Sequence, residues 1–235
     1  TRSFTKKWLA AAGGLSAALL FAGATTAQQQ PPAASLTPNA APPVTAERLL
    51  SADKDPNNWL TYYRDYAGHR FSPLDQIDTS NVKDLKVAFT FPLGGLEGGG
   101  AYTHAALEGT PLVNDGFMYV TTGWGEVFKL NVRDGFAKPV WKMDPQTDKE
   151  WSAGVACCDI DNRGVGLWED KVVSHTLDGR LILTDDATGQ IVWQLKVADP
   201  DKGETITMAP LIVKDMAITG VSGAEKAIRG WLAAT

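Results

Sequence analysis

Residues 110–120 (TPLVNDGFMYV), 165–175 (VGLWEDKVVSH) and 209–219 (APLIVKDMAIT) read as three copies of one unit. Each passes from an apolar pair through an aspartate into an alternating or β-branched run, and Asp115, Asp170 and Asp215 fall at steps of 55 and 45 residues. A second element recurs out of phase with the first. FKLNVRDGFAKPVW at 128–141 and LILTDDATGQIVW at 181–193 both run strand, acidic-glycine turn, strand, tryptophan. Small sheets repeated at about 50 residues are the mark of a β-propeller, in which stacked blades bury faces that no blade buries alone. A β-sandwich, the plain alternative, gives no reason for a tryptophan after the same turn in successive units. The fold expected is all-β, a propeller, with residues 86–235 supplying roughly three blades.

Strands are expected at 86–91, 117–122, 126–130, 171–176, 180–184, 190–197 and 216–221, with a short helix over 79–85. Asp186, Thr188 and Gly189 are expected to close a hairpin, Trp193 to wedge between neighbouring sheets on the next strand, and Trp141 to do the same one blade earlier. The glycine-rich stretch 93–100 lacks the lysine and the strand-to-helix setting of a phosphate loop and reads as a flexible surface loop. Three blades do not close a ring. Because the chain begins with Thr1 and stops inside an apolar run, it is expected to be a piece of a longer one.

Residues 1–27 read as an export signal: Arg2, Lys6 and Lys7 form a basic front, an apolar body runs over 8–24, and small residues follow, with cleavage after Ala24 or Ala27. The body is diluted by Gly13, Gly14 and Ser16 and falls short of the ~20 residues that span a bilayer. Residues 28–46 hold five of the 13 prolines and no charge, and are expected to be an extended spacer, with the propeller portion over 47–235. Loss of 1–27 leaves 19 Lys and Arg against 27 Asp and Glu, net −8, a surface that repels nucleic acid and anionic lipid.

Cys157 and Cys158 are the two cysteines of the chain, and they are adjacent. In an oxidising compartment such a pair stays free, bridges two chains, or closes on itself. Neighbouring Cα atoms sit 3.8 Å apart across a trans peptide, below the usual disulfide range of about 4.4 Å and more, so self-closure makes a small strained ring that staples nothing distant.

The segment WLTYYRDYAGHRFSPLDQIDTSNVKDL at 59–85, LEGTPLV at 107–113, CCDIDNRG at 157–164, the turn-tryptophan element at 186–193 and VSGAEKAIRGW at 221–231 together resemble the quinoprotein alcohol dehydrogenases, the methanol and ethanol dehydrogenase family that uses pyrroloquinoline quinone (PQQ). The adjacent cysteines followed by NRG, with SGAE downstream, carry most of its specificity. The resemblance implies an eight-bladed propeller in the complete protein, a vicinal disulfide between Cys157 and Cys158 lying against one face of the cofactor, and a tryptophan beyond Thr235 against the other. PQQ is a planar o-quinone with three carboxylates, so its pocket requires cations, donors and a hard metal ion. By the resemblance, Arg163 serves the quinone oxygens, and outside this motif it would read as a surface ion pair with Asp159 or Asp161. Glu108 contacts the cofactor, and Thr207 and Ser222 bind its carboxylates. Gly223 and Ala224 let backbone N–H groups approach closely. Glu225 is a ligand of the metal, Ca²⁺ or a lanthanide, with PQQ and a downstream asparagine supplying others. Lys226 and Ala227 depart from the family pattern, which has an apolar or aromatic residue and then glycine.

The activity implied is oxidation of a primary or secondary alcohol to the carbonyl compound in the periplasm. A catalytic aspartate takes the hydroxyl proton, and electrons pass singly to a cytochrome c. That aspartate is expected beyond Thr235, so this chain alone is expected to lack turnover. The rival reading is a non-catalytic propeller scaffold of the cell envelope, which has no use for the cysteine pair, NRG or SGAE.

Overall fold

A computed structural model of the chain describes residues 39–156 and 159–235. The three repeat copies each become the first two strands of an antiparallel sheet. The first sheet is the meander β3 (Leu112–Asn114), β4 (Phe117–Thr121), β5 (Val127–Asn131) and β6 (Lys138–Met143). The second is β7 (Gly166–Trp168), β8 (Lys171–His175), β9 (Arg180–Asp185) and β10 (Ile191–Lys196). The third comprises β11 (Leu211–Val213), β12 (Met216–Gly220) and β13 (Leu232–Ala234). In every copy a two-residue turn joins the first pair, and its first residue takes a left-handed backbone: φ is 50° at Asp115, 48° at Glu169 and 56° at Lys214. The expected strands after residue 116 are therefore all present.

Alternation along these strands builds the core. Leu112, Phe117, Tyr119 and Val127 of the first sheet pack with Leu167, Val172, Val173, Leu181 and Ile182 of the second and Ile212 and Ala217 of the third. Two polar ties run between sheets. Lys129, fully buried on β5, places Nζ 2.6 Å from Asp186 Oδ2 and donates to the Asp186 carbonyl at 2.9 Å and the Asn39 carbonyl at 2.7 Å. Tyr119 Oη donates to Asp186 Oδ1 at 2.5 Å, and Trp141 Nε1 to the Asp186 carbonyl at 2.8 Å. Burial lowers the Lys129 pKa while Asp186 opposes that fall, and burial raises that of the Tyr119 hydroxyl. Between the second and third sheets, the buried His175 ring has Nδ1 3.1 Å from the Met208 carbonyl and Nε2 2.9 Å from Thr219 Oγ1.

Trp141 wedges against the turn of the next sheet, as expected; a Cβ on Gly189 would lie 2.7 Å from its Cγ. The turn itself is closed by Asp185, whose Oδ1 accepts from Thr188 N at 3.0 Å and Thr188 Oγ1 at 2.8 Å. Asp186, expected in that role, points instead into the preceding sheet. Trp193 is 41% exposed and borders an apolar cavity with Trp168, Leu183, Ile212 and Met216.

Elsewhere the local expectations give way to tertiary contacts. Residues 86–91 form no strand: Phe91 packs edge-on against Phe128 of β5, but the segment joins no sheet, and Val87 is 80% exposed. The helix over 79–85 is a single 3₁₀ turn, Val82–Asp84. The glycine-rich stretch contains β1 (Glu97–Gly99), paired with β2 (Tyr102–His104) and packed on Trp124 and on α2 (Lys149–Val155). Glycine is required there, since a Cβ on Gly99 would sit 2.8 Å from Trp124 Cη2. The spacer is in contact with the sheets before Ala46: Ala41 and Val44 are buried, Ala41 N donates to Asp186 Oδ2 at 2.9 Å, and Val44 exchanges backbone bonds with Glu169 ahead of α1 (Ala46–Leu50).

Two expectations follow. Asp186→Asn, which strips the buried Lys129 of its counter-charge, lowers stability by about 3–5 kcal/mol in urea unfolding, whereas Asp185→Asn costs about 1 kcal/mol. The His175 imidazole, its pKa lowered to about 4 by burial, stays neutral down to pH 5, which its ¹⁵N chemical shifts report.

Candidate functional site

Glu108, Arg163 and Thr207 each stand two residues ahead of a repeat copy, so the fold sets them at equivalent ends of β3, β7 and β11. Their segments join laterally: Thr110 N donates to the Arg163 carbonyl at 3.2 Å, and Arg163 N to the Thr207 carbonyl at 2.9 Å. The guanidinium continues the link through its side chain. Nη1 donates to Thr207 Oγ1 at 2.6 Å and Nη2 to Glu108 Oε2 at 2.9 Å, while Asp161 Oδ2 lies 2.8 Å from Nη2. Thr207 Oγ1 is 3.3 Å from Ser222 Oγ, and Ser222 is fixed by paired backbone bonds to Thr205 of 3.0 and 2.8 Å.

The third sheet differs from the first two in its middle connection. After β4, Thr122 N closes onto the Glu126 carbonyl, and after β8, Thr176 N closes onto the Arg180 carbonyl, both at 3.0 Å. After β12 the same closure, Val221 N to the Trp231 carbonyl at 3.3 Å, encloses the whole of 222–230. This longer loop turns through the 3₁₀ segment Ala224–Lys226. Gly223 has φ 132°, and a Cβ there would collide with the Gly203 carbonyl. Ala227, where the family pattern has glycine, adopts the left-handed φ 61°, ψ 25°.

Between the loop and the Arg163 segment lies a cavity of about 330 Å³, within the usual range of small-molecule sites, about 300–1,000 Å³. Arg163, Thr207, Ser222, Gly223, Ala224 and Glu225 all line it. Glu108 stands outside the lining, exposed and tied in through Arg163. Cys157 and Cys158 fall outside the described residues; Ala156 and Asp159 on either side of them line the cavity. No group of three or more His, Cys, Asp or Glu side chains suited to a metal occurs among the described residues, so Glu225 stands as a single carboxylate donor.

Ala156, Asp159, Asp161, Thr205, Val221 and Gly230 also line the cavity but lie outside the sequence-based set, and of these Asp161 bears most directly on Arg163. Asp161 pairs with Arg163, but not at the surface: its side chain is 8% exposed, and the buried Oδ2 accepts no hydrogen bond although Nη2 is close. Burial pushes its carboxyl up to about 6; Arg163 opposes the rise, and the negative charge of Glu108, a side-chain hydrogen bond with Glu108 and the charge of Asp159 add to it. Nothing in the local pattern separates Asp161 from Asp159. Only the packed segment shows which of the two faces inward.

The donors of the lining, a guanidinium, two hydroxyls and a glycine-permitted backbone, can hold carboxylates, and three acids line the same cavity: Asp159 and Asp161 beside Arg163, and Glu225 on the loop, a donor for a hard cation. A family profile described as "PQQ: Glucose/ethanol/alcohol dehydrogenase, beta-propeller domain" matches residues 59–228. Quinohemoprotein alcohol dehydrogenase ADH IIB of Pseudomonas putida is 41% identical over 79% of this chain and 25% of its own length. The lanthanide-dependent methanol dehydrogenase of Methylacidiphilum fumariolicum (strain SolV) is 40% identical over 78% of this chain and 29% of its own. Among solved structures, the quinohemoprotein alcohol dehydrogenase ADHIIG of Pseudomonas putida HK5 superposes with a TM-score of 0.75 at 40% identity, covering 84% of this chain and 27% of that one. The chain thus spans about a quarter of the length of these relatives. With the profile covering most of its length and the sheets repeating as they do, the chain belongs to the PQQ-dependent glucose/ethanol/alcohol dehydrogenase family and forms part of its β-propeller domain.

Proposed function

We propose that this chain contributes one wall of the PQQ site of a periplasmic alcohol dehydrogenase. The observation that carries the reading is the hydrogen-bonded line Arg163–Thr207–Ser222 facing the same cavity as Glu225. Bound PQQ supplies a two-electron acceptor for an alcohol's carbinol hydride, with a Ca²⁺ or lanthanide ion as Lewis acid. The chain's own residues do the holding. Arg163, fixed on three sides, offers its remaining N–H groups to anionic oxygens. Thr207 and Ser222 donate to carboxylates, and Gly223 and Ala224 admit a ligand close to the backbone. Glu225 gives the metal one oxygen of the several it needs. A disulfide between Cys157 and Cys158 would add a flat face beside Ala156 and Asp159.

The lanthanide-dependent relative supports the metal class, and the quinohemoprotein relatives support a haem protein, here a cytochrome c, as the acceptor of single electrons. Periplasmic location rests on the export signal read in residues 1–27; among the described residues no helix is long and apolar enough to cross a membrane. The base that takes the alcohol proton is placed outside this chain, so the chain alone binds cofactor without turnover. An envelope scaffold has no use for an arginine held among carboxylates and hydroxyls at a cavity wall.

Titration with PQQ, followed by quenching of tryptophan fluorescence, tests the reading. Arg163→Ala weakens binding about 10- to 100-fold, the loss of charge-assisted hydrogen bonds of about 1.5–3 kcal/mol. Glu225→Ala abolishes the gain in affinity produced by Ca²⁺ and leaves metal-free binding unchanged. An intact-mass measurement finds Cys157 and Cys158 lighter by two hydrogens than the reduced pair. Equal affinity in all three proteins would overturn the assignment. In the loop, Ala227→Gly relieves the left-handed Cβ and raises stability by about 1 kcal/mol, whereas Gly223→Ala drives the loop off Gly203 and lowers PQQ affinity; thermal melts and the same titration read both.

A further inference from the structure

Arg163 meets more negative charge than it can neutralise. Its Nη2 is shared between Glu108 at 2.9 Å and Asp161 at 2.8 Å, Asp159 lies on its own segment, and Glu225 faces the same cavity from the β12–β13 loop. Among the described residues Arg163 is the one cation lining this cavity. A ligand carrying several carboxylates therefore enters a pocket that is already net negative, and one of the resident charges has to be offset. Glu108 and Glu225 are exposed, so water screens them. Asp161 is not: its side chain is 8% exposed, and the charge on its buried Oδ2 is offset by Arg163 Nη2, 2.8 Å away and shared with Glu108. A buried carboxylate becomes costly when its counter-charge is drawn to another anion, and a proton removes that charge.

We propose that Asp161 is the proton-linked positioning residue of this pocket: ionised, it holds the Arg163 guanidinium against the cavity wall, and on taking up a proton it frees that guanidinium for an anionic ligand. The inference rests on the cofactor reading above and extends it to a residue outside the motif-derived set. The geometry fits. Nη2 is the nitrogen that Asp161 and Glu108 share, so loss of the Asp161 charge leaves Glu108 to orient the guanidinium while its net positive character rises. The upward displacement of the Asp161 carboxyl, to about 6, places the exchange just below neutral pH. Sign follows from linkage: when binding requires the protonated form, affinity is full below pH 6 and falls as pH rises above it.

The test uses the full chain, with PQQ as the probe, in wild type and Asp161→Asn between about pH 5 and pH 8. For the wild type, Kd should rise about tenfold per pH unit above 6 relative to the variant, the slope of one linked proton. Calorimetry in two buffers of different ionisation enthalpy should find close to one proton taken up per PQQ bound near pH 8 by the wild type and none by the variant. Near pH 8 the variant should bind the more tightly. Parallel pH profiles for the two proteins would overturn the role of Asp161 and leave the cofactor reading standing. Absence of PQQ binding by both at every pH would sink that reading and this one together. If Asp161→Asn fails to fold, proton uptake by the wild type and the appearance of a protonated-carboxyl infrared band on PQQ addition decide the question, and their absence overturns the proposal.

Discussion

The contact between the first two sheets hangs on one carboxylate. Asp186 receives Lys129 and the Ala41 N–H on Oδ2, the Tyr119 hydroxyl on Oδ1, and the Trp141 indole and Lys129 on its carbonyl. Lys129 in turn lies 4.3 Å from the centroid of Phe117, so the buried ammonium is enclosed by one anion, carbonyl oxygens and aromatic faces. A buried pair of this kind adds little net stability over a hydrophobic substitute, but removing one member leaves a charge with nowhere to go. Its use is geometric. The acceptors of Asp186 are directional, so the two sheets dock at one angle and one height.

That fixed docking is what makes the repeat useful for chemistry. Once the sheets stack in register, residues at the same place in each copy meet at one end of the stack, as Glu108, Arg163 and Thr207 do, although 55 and 44 residues separate them along the chain. The site is thus a by-product of the repetition, with one break in it. Where the first two sheets close β4–β5 and β8–β9 tightly, the third opens into 222–230, and this irregular loop supplies Ser222, Gly223 and Glu225 as the opposing wall. A strictly regular array would leave the three residues on an open surface.

The parts legible in sequence were those set by local physics. Apolar or β-branched alternation after the repeated aspartate marks β4, β8 and β12, the second strand of each copy, because a one-residue slip there would turn the core face to water; β3, β7 and β11, three residues each, are too short to show a period. The tryptophan after the turn marked the packing of Trp141, and the motif around NRG and SGAE brought the cavity-lining residues together by resemblance. What stayed hidden depends on a partner. Residues 86–91 have the composition of a strand but no neighbour to pair with among the described residues, and composition says nothing of neighbours. The stretch holding Gly99 reads as loop in sequence because the purpose of that glycine, close approach to Trp124 and α2, lies in contacts with residues more than twenty positions away. Asp185 and Asp186 are adjacent and chemically identical, and only the direction of the backbone decides which closes the turn and which ties the sheets.

Asp159 and Asp161 pose the same problem two residues apart, and there the outcome bears on function. Both precede Arg163 in sequence, yet of the two Asp161 alone is buried, its Oδ2 2.8 Å from Arg163 Nη2. Hydrophobic burial gives no reason for an acid at this position, since a valine or leucine would fill the space without the desolvation penalty. An acid there holds the Arg163 guanidinium while it is ionised, and a change in its charge would release that hold. The neighbouring guanidinium, shared between Asp161 and the more exposed Glu108, is the group on which such a change acts, because every anion that enters the cavity must compete with these two carboxylates for the same N–H groups.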